Sequence, residues 1–234
     1  FVDHACVGFL IREELDALRL FDQVKRPFLA ILGGAKISTK LSLINALTEK
    51  VDYLLLGGAI ANTCLGSLGV EVGSSLVEPS VYPEAKELAE KDNVLLPDKV
   101  LVALNKESEP REASIDSLTK EDCIFDVSPG YINTLEELFT KAETIIWNGP
   151  MGLFEEDQFC SGTQALADLI AGSKAYSVIG GGDTISAAVK TGVFDSINYI
   201  STAGGAFLNY LEGKPLPALL ALQEKALESS SDGT

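Results

Sequence analysis

Five apolar runs each close on glycine, and this constrains the chain most. They are Phe28 to Leu32 before Gly33-Gly34, Val51 to Leu56 before Gly57-Gly58, Thr144 to Trp147 before Asn148-Gly149, Tyr176 to Ile179 before Gly180, and Ile197 to Ile200 running on to Gly204-Gly205. Short, mostly apolar runs of this kind suit strands covered on both faces. Segments with apolar residues at helical spacing lie between them, so the chain reads as repeated β-α. In an open parallel sheet the strand C-terminal ends share one edge, and ligands bind in the crevice there. One glycine turn would mean little, because strand–helix packing often needs glycine. Five along one edge suggest a backbone-lined trough for a large, flat, anionic ligand, and a nucleotide fits. The expected fold is a three-layer α/β Rossmann-like domain with a mostly parallel β-sheet.

The most informative turn is Gly180-Gly-Gly-Asp-Thr184, followed by a small-residue helical segment, Ile185 to Val189. A strand, a glycine turn and a helix start aim free backbone N–H groups and the positive end of a helix at an anion. Asp183 beside that site would repel phosphate unless a divalent cation lay between them. A hard ion such as Mg²⁺, held by one carboxylate plus substrate phosphates, meets the need. Asp183 would serve equally as a helix cap, and the stretch alone leaves both readings open.

The 234 residues, of which 46% are hydrophobic, suffice for a sizeable core. The expected organisation is a junction segment over 1–8, one nucleotide-binding domain over 9–228 and a disordered tail over 229–234. No apolar run approaches the roughly 20 residues of a membrane span, and no signal peptide is expected at the start of the chain. Cys6, Cys64, Cys123 and Cys160 are far apart and form no C-x-x-C pair. Reduced thiols of a cytoplasmic protein, expected to be a monomer, are the reading. A formal charge of −16 argues against a nucleic-acid partner. His4 is the single histidine, so histidine-based catalysis is not expected. Along the chain, helices are expected over 10–21, 83–91, 135–142, 164–170 and 216–227, with 105–116 a polar surface excursion.

Walker A, G-x-G-x-x-G and protein-kinase signatures are absent. Instead the chain carries, in order, Gly33-Gly-Ala-Lys-Ile-Ser-Thr-Lys40, Gly57-Gly-Ala-Ile-Ala-Asn62, Trp147-Asn-Gly-Pro-Met-Gly-Leu-Phe-Glu155, Gly180-Gly-Gly-Asp-Thr184 and Ser201-Thr-Ala-Gly-Gly-Ala206. Together these resemble the C-terminal half of the phosphoglycerate kinase family, over about Ala5 to Leu222. The resemblance implies an ATP- or ADP-binding half with Mg²⁺, acting in glycolysis by reversible phosphoryl transfer between 1,3-bisphosphoglycerate and ADP. It also implies a partner, the family's N-terminal domain that holds 3-phosphoglycerate, which this sequence lacks. The chain alone is then expected to bind nucleotide without turnover.

Site roles follow from the resemblance. Lys36 resembles the lysine that meets the transferring phosphoryl group. Lys40, read as one helical turn further on the same face, resembles the lysine on the nucleotide phosphates. Gly181, Gly182 and Thr184 resemble the phosphate-binding helix start, and Asp183 the Mg²⁺ ligand. Asn148 resembles a phosphate or ribose contact, and Glu155 the carboxylate that accepts from ribose hydroxyls. Gly34, Ala35, Gly58, Ile124 and Leu153 would line an adenine slot with Pro150 at its rim. Transfer between a carboxylate and a phosphate oxygen needs no general base, since both are ionised at neutral pH. Two departures from the family pattern are Asp126-Val-Ser-Pro-Gly-Tyr131 and Ala203 in place of a glycine. On these, a degenerate adenine-nucleotide module without transfer activity stays open as the alternative.

Overall fold

The computed structural model describes residues 6–19 and 24–231. Its main sheet has six parallel strands in the order β3 (Val94–Leu95), β2 (Tyr53–Leu56), β1 (Phe28–Leu32), β7 (Thr144–Asn148), β8 (Tyr176–Gly180) and β9 (Tyr199–Ser201). The five glycine-ended runs all lie in this sheet, their C-terminal ends along one edge. From β1 the chain winds one way through β2 to β3, then returns to place β7 on the other side of β1. The crevice between β1 and β7 is therefore the topological switch point, where ligands bind in open α/β sheets.

The strands are buried on both faces because alternate residues feed two cores. Leu29, Ile31, Ile145, Trp147 and Ile179 point to one cluster. There they meet α5 (Pro129–Thr134), α6 (Glu136–Lys141), α7 (Ser161–Gly172) and α8 (Gly182–Lys190) through Ile132, Phe139, Leu166 and Ala187. Phe28, Ala30, Leu32, Ile146 and Val178 point to the other. That side is covered by α1 (Phe9–Arg19), α2 (Leu41–Thr48), α3 (Gly58–Ser67), α4 (Tyr82–Ala89) and α9 (Gly205–Leu211), through Leu18, Ile44, Ile60, Leu88 and Phe207. Helices over both faces of the sheet make three layers. No helix among the described residues is long and apolar enough to cross a membrane.

A second, antiparallel sheet, in the order β5 (Arg111–Ser114), β4 (Lys99–Ala103), β6 (Cys123–Val127), has its own small core of Val100, Val102, Ala113 and Ile124. The sequence reading gave the 105–116 stretch to surface loop, and β5 corrects it. Only Ala113 of β5 is buried, so this edge strand carries almost no apolar signal. Helix α5 is a second correction, at a point read as the end of a strand. Ser128 caps it by accepting from the N–H groups of Gly130 (2.9 Å) and Tyr131 (3.3 Å), and Pro129 occupies its first turn. At the C-terminus α10 (Pro217–Ser231) continues past Leu227 into the segment expected to be disordered, and 232–234 lie outside the described residues. The expected first helix begins at Phe9, and its last two residues, 20 and 21, also lie outside them, as do residues 1–5 of the junction segment.

Candidate functional site

The glycines along the sheet edge do two kinds of work. A Cβ on Gly33 would overlap the Pro150 carbonyl, and one on Gly149 would overlap the Gly33 carbonyl. The turns after β1 and β7 are pressed backbone to backbone, and Gly149 takes φ 99° to allow it. A Cβ on Gly58 would meet the Gly34 backbone, and one on Gly180 the Phe207 ring. At Gly182, Gly204 and Gly205, by contrast, nothing among the described residues lies within 4 Å. The free space of the trough lies at the ends of β8 and β9.

Lys40 sits where the pressed turns meet this open space. Its ammonium donates to the Gly33 carbonyl at 2.8 Å and to Asn148 Oδ1 at 2.6 Å, with the Asn148 carbonyl at 3.4 Å. Asn148 is buried, and its Nδ2 donates to the Gly180 carbonyl at 2.5 Å. This chain of bonds ties together the ends of β1, β7 and β8. Burial pushes the Lys40 ammonium down to about 8, with the Asp183 carboxylate pulling the other way. Thr184 is buried; its hydroxyl accepts from the Gly149 N–H at 2.7 Å and donates to the Gly180 carbonyl at 2.9 Å. The side chains of Asn148 and Thr184 are thus committed to holding the turns, so any phosphate contact from Thr184 falls to its backbone N–H.

Gly181, at φ 97°, starts α8 and leaves the first-turn amides of residues 182–184 without intrahelical acceptors. Asp183 is exposed in that turn. Among the described residues no group of three or more His, Cys, Asp or Glu side chains is placed to hold a metal. A lone exposed carboxylate at a helix start fits an ion that draws its other ligands from phosphate oxygens and water, as Mg²⁺ does.

Lys36 and Lys40 do not share a helical face, which corrects the sequence reading. Residues 38–40 form a turn after Lys36 and Ile37, and α2 begins only at Leu41. Lys36 is exposed ahead of that turn, while Lys40 folds back into the crevice. The Glu78 carboxylate fixes the turn by accepting from the Ser38 N–H (3.0 Å) and hydroxyl (2.7 Å). These bonds outweigh burial and hold the Glu78 carboxyl below its usual range.

Beside the switch point lies a cavity of about 350 Å³ between the edge of the main sheet and the second sheet. Gly34, Ala35, Gly58, Ile124, Pro150, Leu153, Glu155 and Asp183 all line it. Lys36, Lys40, Asn148, Gly181, Gly182 and Thr184 lie outside its lining. The sequence reading missed Asn62, Phe125, Asp126 and Met151 in that lining. Asn62 could have been found, since it follows Gly58 by four residues on α3 and so shares its face. Asp126, a lone acid inside an apolar strand, was another available signal. Its carboxylate accepts from the N–H groups of Gly162 (2.7 Å), Val127 (2.9 Å) and Thr163 (3.4 Å), tying β6 to the start of α7. Burial nevertheless pushes it up to about 7.

The loop after β9 is held by α1. The buried Glu14 carboxylate accepts from the Ser201 hydroxyl (2.9 Å), the Thr202 hydroxyl (2.8 Å) and the Thr202 N–H (2.7 Å). Burial alone would raise this carboxyl, but bonds from Thr202, Tyr199 and Ser201 leave it lowered. Ala203 follows, with its methyl packed against the apolar cluster beneath the loop.

Comparison with known proteins places these features in context. The family model for phosphoglycerate kinase matches residues 1–214. The structure of phosphoglycerate kinase from Coxiella burnetii is similar over 95% of this chain, at 43% sequence identity and a TM-score of 0.89. That of phosphoglycerate kinase from Pyrococcus horikoshii OT3 is similar over 94% of it, at 30% identity and a TM-score of 0.81. This chain spans 60% and 57% of the length of those two chains.

Proposed function

The chain belongs to the phosphoglycerate kinase family, and from that premise we propose that it is the half that binds MgATP and MgADP for phosphoryl transfer to and from 3-phosphoglycerate. The observation that carries this reading is the junction of two unlike spaces at one sheet edge. An apolar-walled slot suits a base, and beside it an open, glycine-lined helix start faces Lys40 and Asp183. In this reading the first-turn amides of α8 and Lys40 hold phosphate oxygens. Exposed Lys36 offsets charge on the group in flight, and Glu155 meets the ribose. Mg²⁺, when bound beside Asp183, neutralises phosphate charge. The protein's contribution is positioning, charge compensation and exclusion of water, since the reacting oxygens are already ionised. The degenerate-module alternative leans on Ala203 and the Asp126 loop; the Ala203 methyl packs against the core cluster, and this observation favours the active reading.

Calorimetry with MgADP, with and without EDTA, tests the proposal. Asp183→Ala should remove most of the Mg-dependent part of the affinity; equal affinity in all conditions would take Asp183 out of the metal role. The same wild-type chain should release no ADP from ATP and 3-phosphoglycerate, because the second substrate surface belongs to the part of the family not present in this sequence. Robust turnover by the chain alone would overturn that part.

A further inference from the structure

We propose that Asn62 reads the base edge and makes the slot prefer a 6-amino purine over a 6-oxo purine. This rests on the nucleotide reading above and names the group in the slot that would discriminate between bases. Asn62 sits one turn into α3, on the face begun by Gly58, and with Gly58 it lines the cavity. The residue is only 4% exposed, which for a carboxamide normally means a full set of partners. Its one side-chain hydrogen bond among the described residues is long, from Nδ2 to the Leu76 carbonyl at 3.5 Å. That bond assigns the amide orientation, because a flipped amide would set oxygen against oxygen. The carboxamide oxygen is left without a partner among the described residues. Yet no side-chain oxygen or nitrogen among the described residues is both sealed from solvent and unpaired. The oxygen is therefore not sealed off, and the slot is a space that Asn62 lines.

A buried acceptor facing the cavity complements a donor on the ligand. Adenine presents an amino group at position 6, whereas hypoxanthine presents a carbonyl there. To meet the carbonyl, the Asn62 amide must flip and give up the Leu76 bond, or leave two acceptors facing each other. Asp126, the other polar side chain deep in the lining, does not compete for this role, because three backbone N–H groups already occupy its carboxylate.

The test is calorimetric titration of the chain with MgADP and MgIDP. The wild type should bind MgADP about 5- to 10-fold more tightly, the worth of one neutral hydrogen bond. Asn62→Leu keeps the volume and removes the acceptor, so MgADP should weaken by that factor, MgIDP should change little, and the preference should collapse. Asn62→Asp keeps an acceptor and removes the donor, so its preference should stay or widen. Equal wild-type affinities would overturn the inference. So would an Asn62→Leu preference unchanged from wild type, because a merely structural asparagine lowers both affinities together. If either variant melts early, the wild-type ratio still decides. Binding of neither nucleotide to the wild type would instead defeat the nucleotide reading itself, and this inference with it.

Discussion

The turn after β1 and the turn after β8 both open on paired glycines, yet the glycines have opposite surroundings. At Gly33 the missing Cβ makes room for another part of the same chain, the Pro150 carbonyl. At Gly182 it makes room for nothing among the described residues. At Gly33 the first turn is closed by backbone, whereas at Gly182 the second is open, as the proposed phosphate site requires. The two should respond differently to one added methyl. Gly33→Ala should cost about 3 kcal/mol or more, since neither partner is a flexible side chain and the backbone must move. Gly182→Ala should leave stability unchanged or raise it by up to about 1 kcal/mol, because alanine favours the helix. The same methyl at Gly182 should weaken MgADP by about tenfold, about 1.4 kcal/mol. Urea unfolding and calorimetry on both variants make the check. A destabilised Gly182→Ala, or a Gly33→Ala as stable as the wild type, would erase the distinction.

This division was not legible in the sequence. Five strand–glycine junctions, read one by one, gave the parallel sheet and its edge correctly, because buried parallel strands have a strong apolar signal. Which glycines face a ligand depends on how loops from distant strands cross, and Gly33 and Gly149 are 116 residues apart (149 minus 33). The slot was half legible for a related reason. Its main-sheet wall (Gly34, Gly58, Pro150) lies in glycine motifs, whereas the opposite wall comes from β4 and β6, in a sheet whose edge strand β5 buries a single residue. The pairing of Lys36 and Lys40 failed because four-residue spacing says nothing about face until a helix is there, and the helix starts one residue after Lys40.

An open turn lacking backbone neighbours needs support from elsewhere, and the turn after β9 has it in Glu14. A side chain from α1 does for residues 201 and 202 what a neighbouring loop does for Gly33. Glu14→Gln keeps the shape but weakens charge-assisted bonds, and should cost about 1–2 kcal/mol at pH 7. The sign with pH follows from the lowered Glu14 carboxyl. The stabilisation is present above the unfolded value of 4.5 and is lost as pH falls through the folded value. Unfolding curves of wild type and Glu14→Gln should therefore converge in acid. A gap that persists undiminished at pH 3 would assign the loss to packing instead of charge.

The smallest expected effect lies at Lys40, the side chain common to the two kinds of turn. It is bonded to the pressed turns through Gly33 and Asn148, yet feels Asp183 across the open one. Burial holds it at about 8, below its ordinary 10.5. Without ligand, the unfolded chain then binds more protons than the folded one between those values, so this group makes stability rise with pH there. An arriving phosphate supplies the negative charge that burial denies, and so should push the ammonium back up. MgADP binding should accordingly take up a fraction of a proton at pH 8.5 and almost none at pH 7. Affinity should fall as pH climbs above about 8, by no more than about tenfold per pH unit for a single proton. Titrations in two buffers of unlike ionisation heat measure the uptake directly, and Lys40→Arg, which stays charged throughout, should abolish it. Uptake that survives in Lys40→Arg would move the titrating group elsewhere. Absence of uptake in the wild type would mean that the phosphate never comes within reach of the ammonium, leaving Lys40 on the closed side of the comparison.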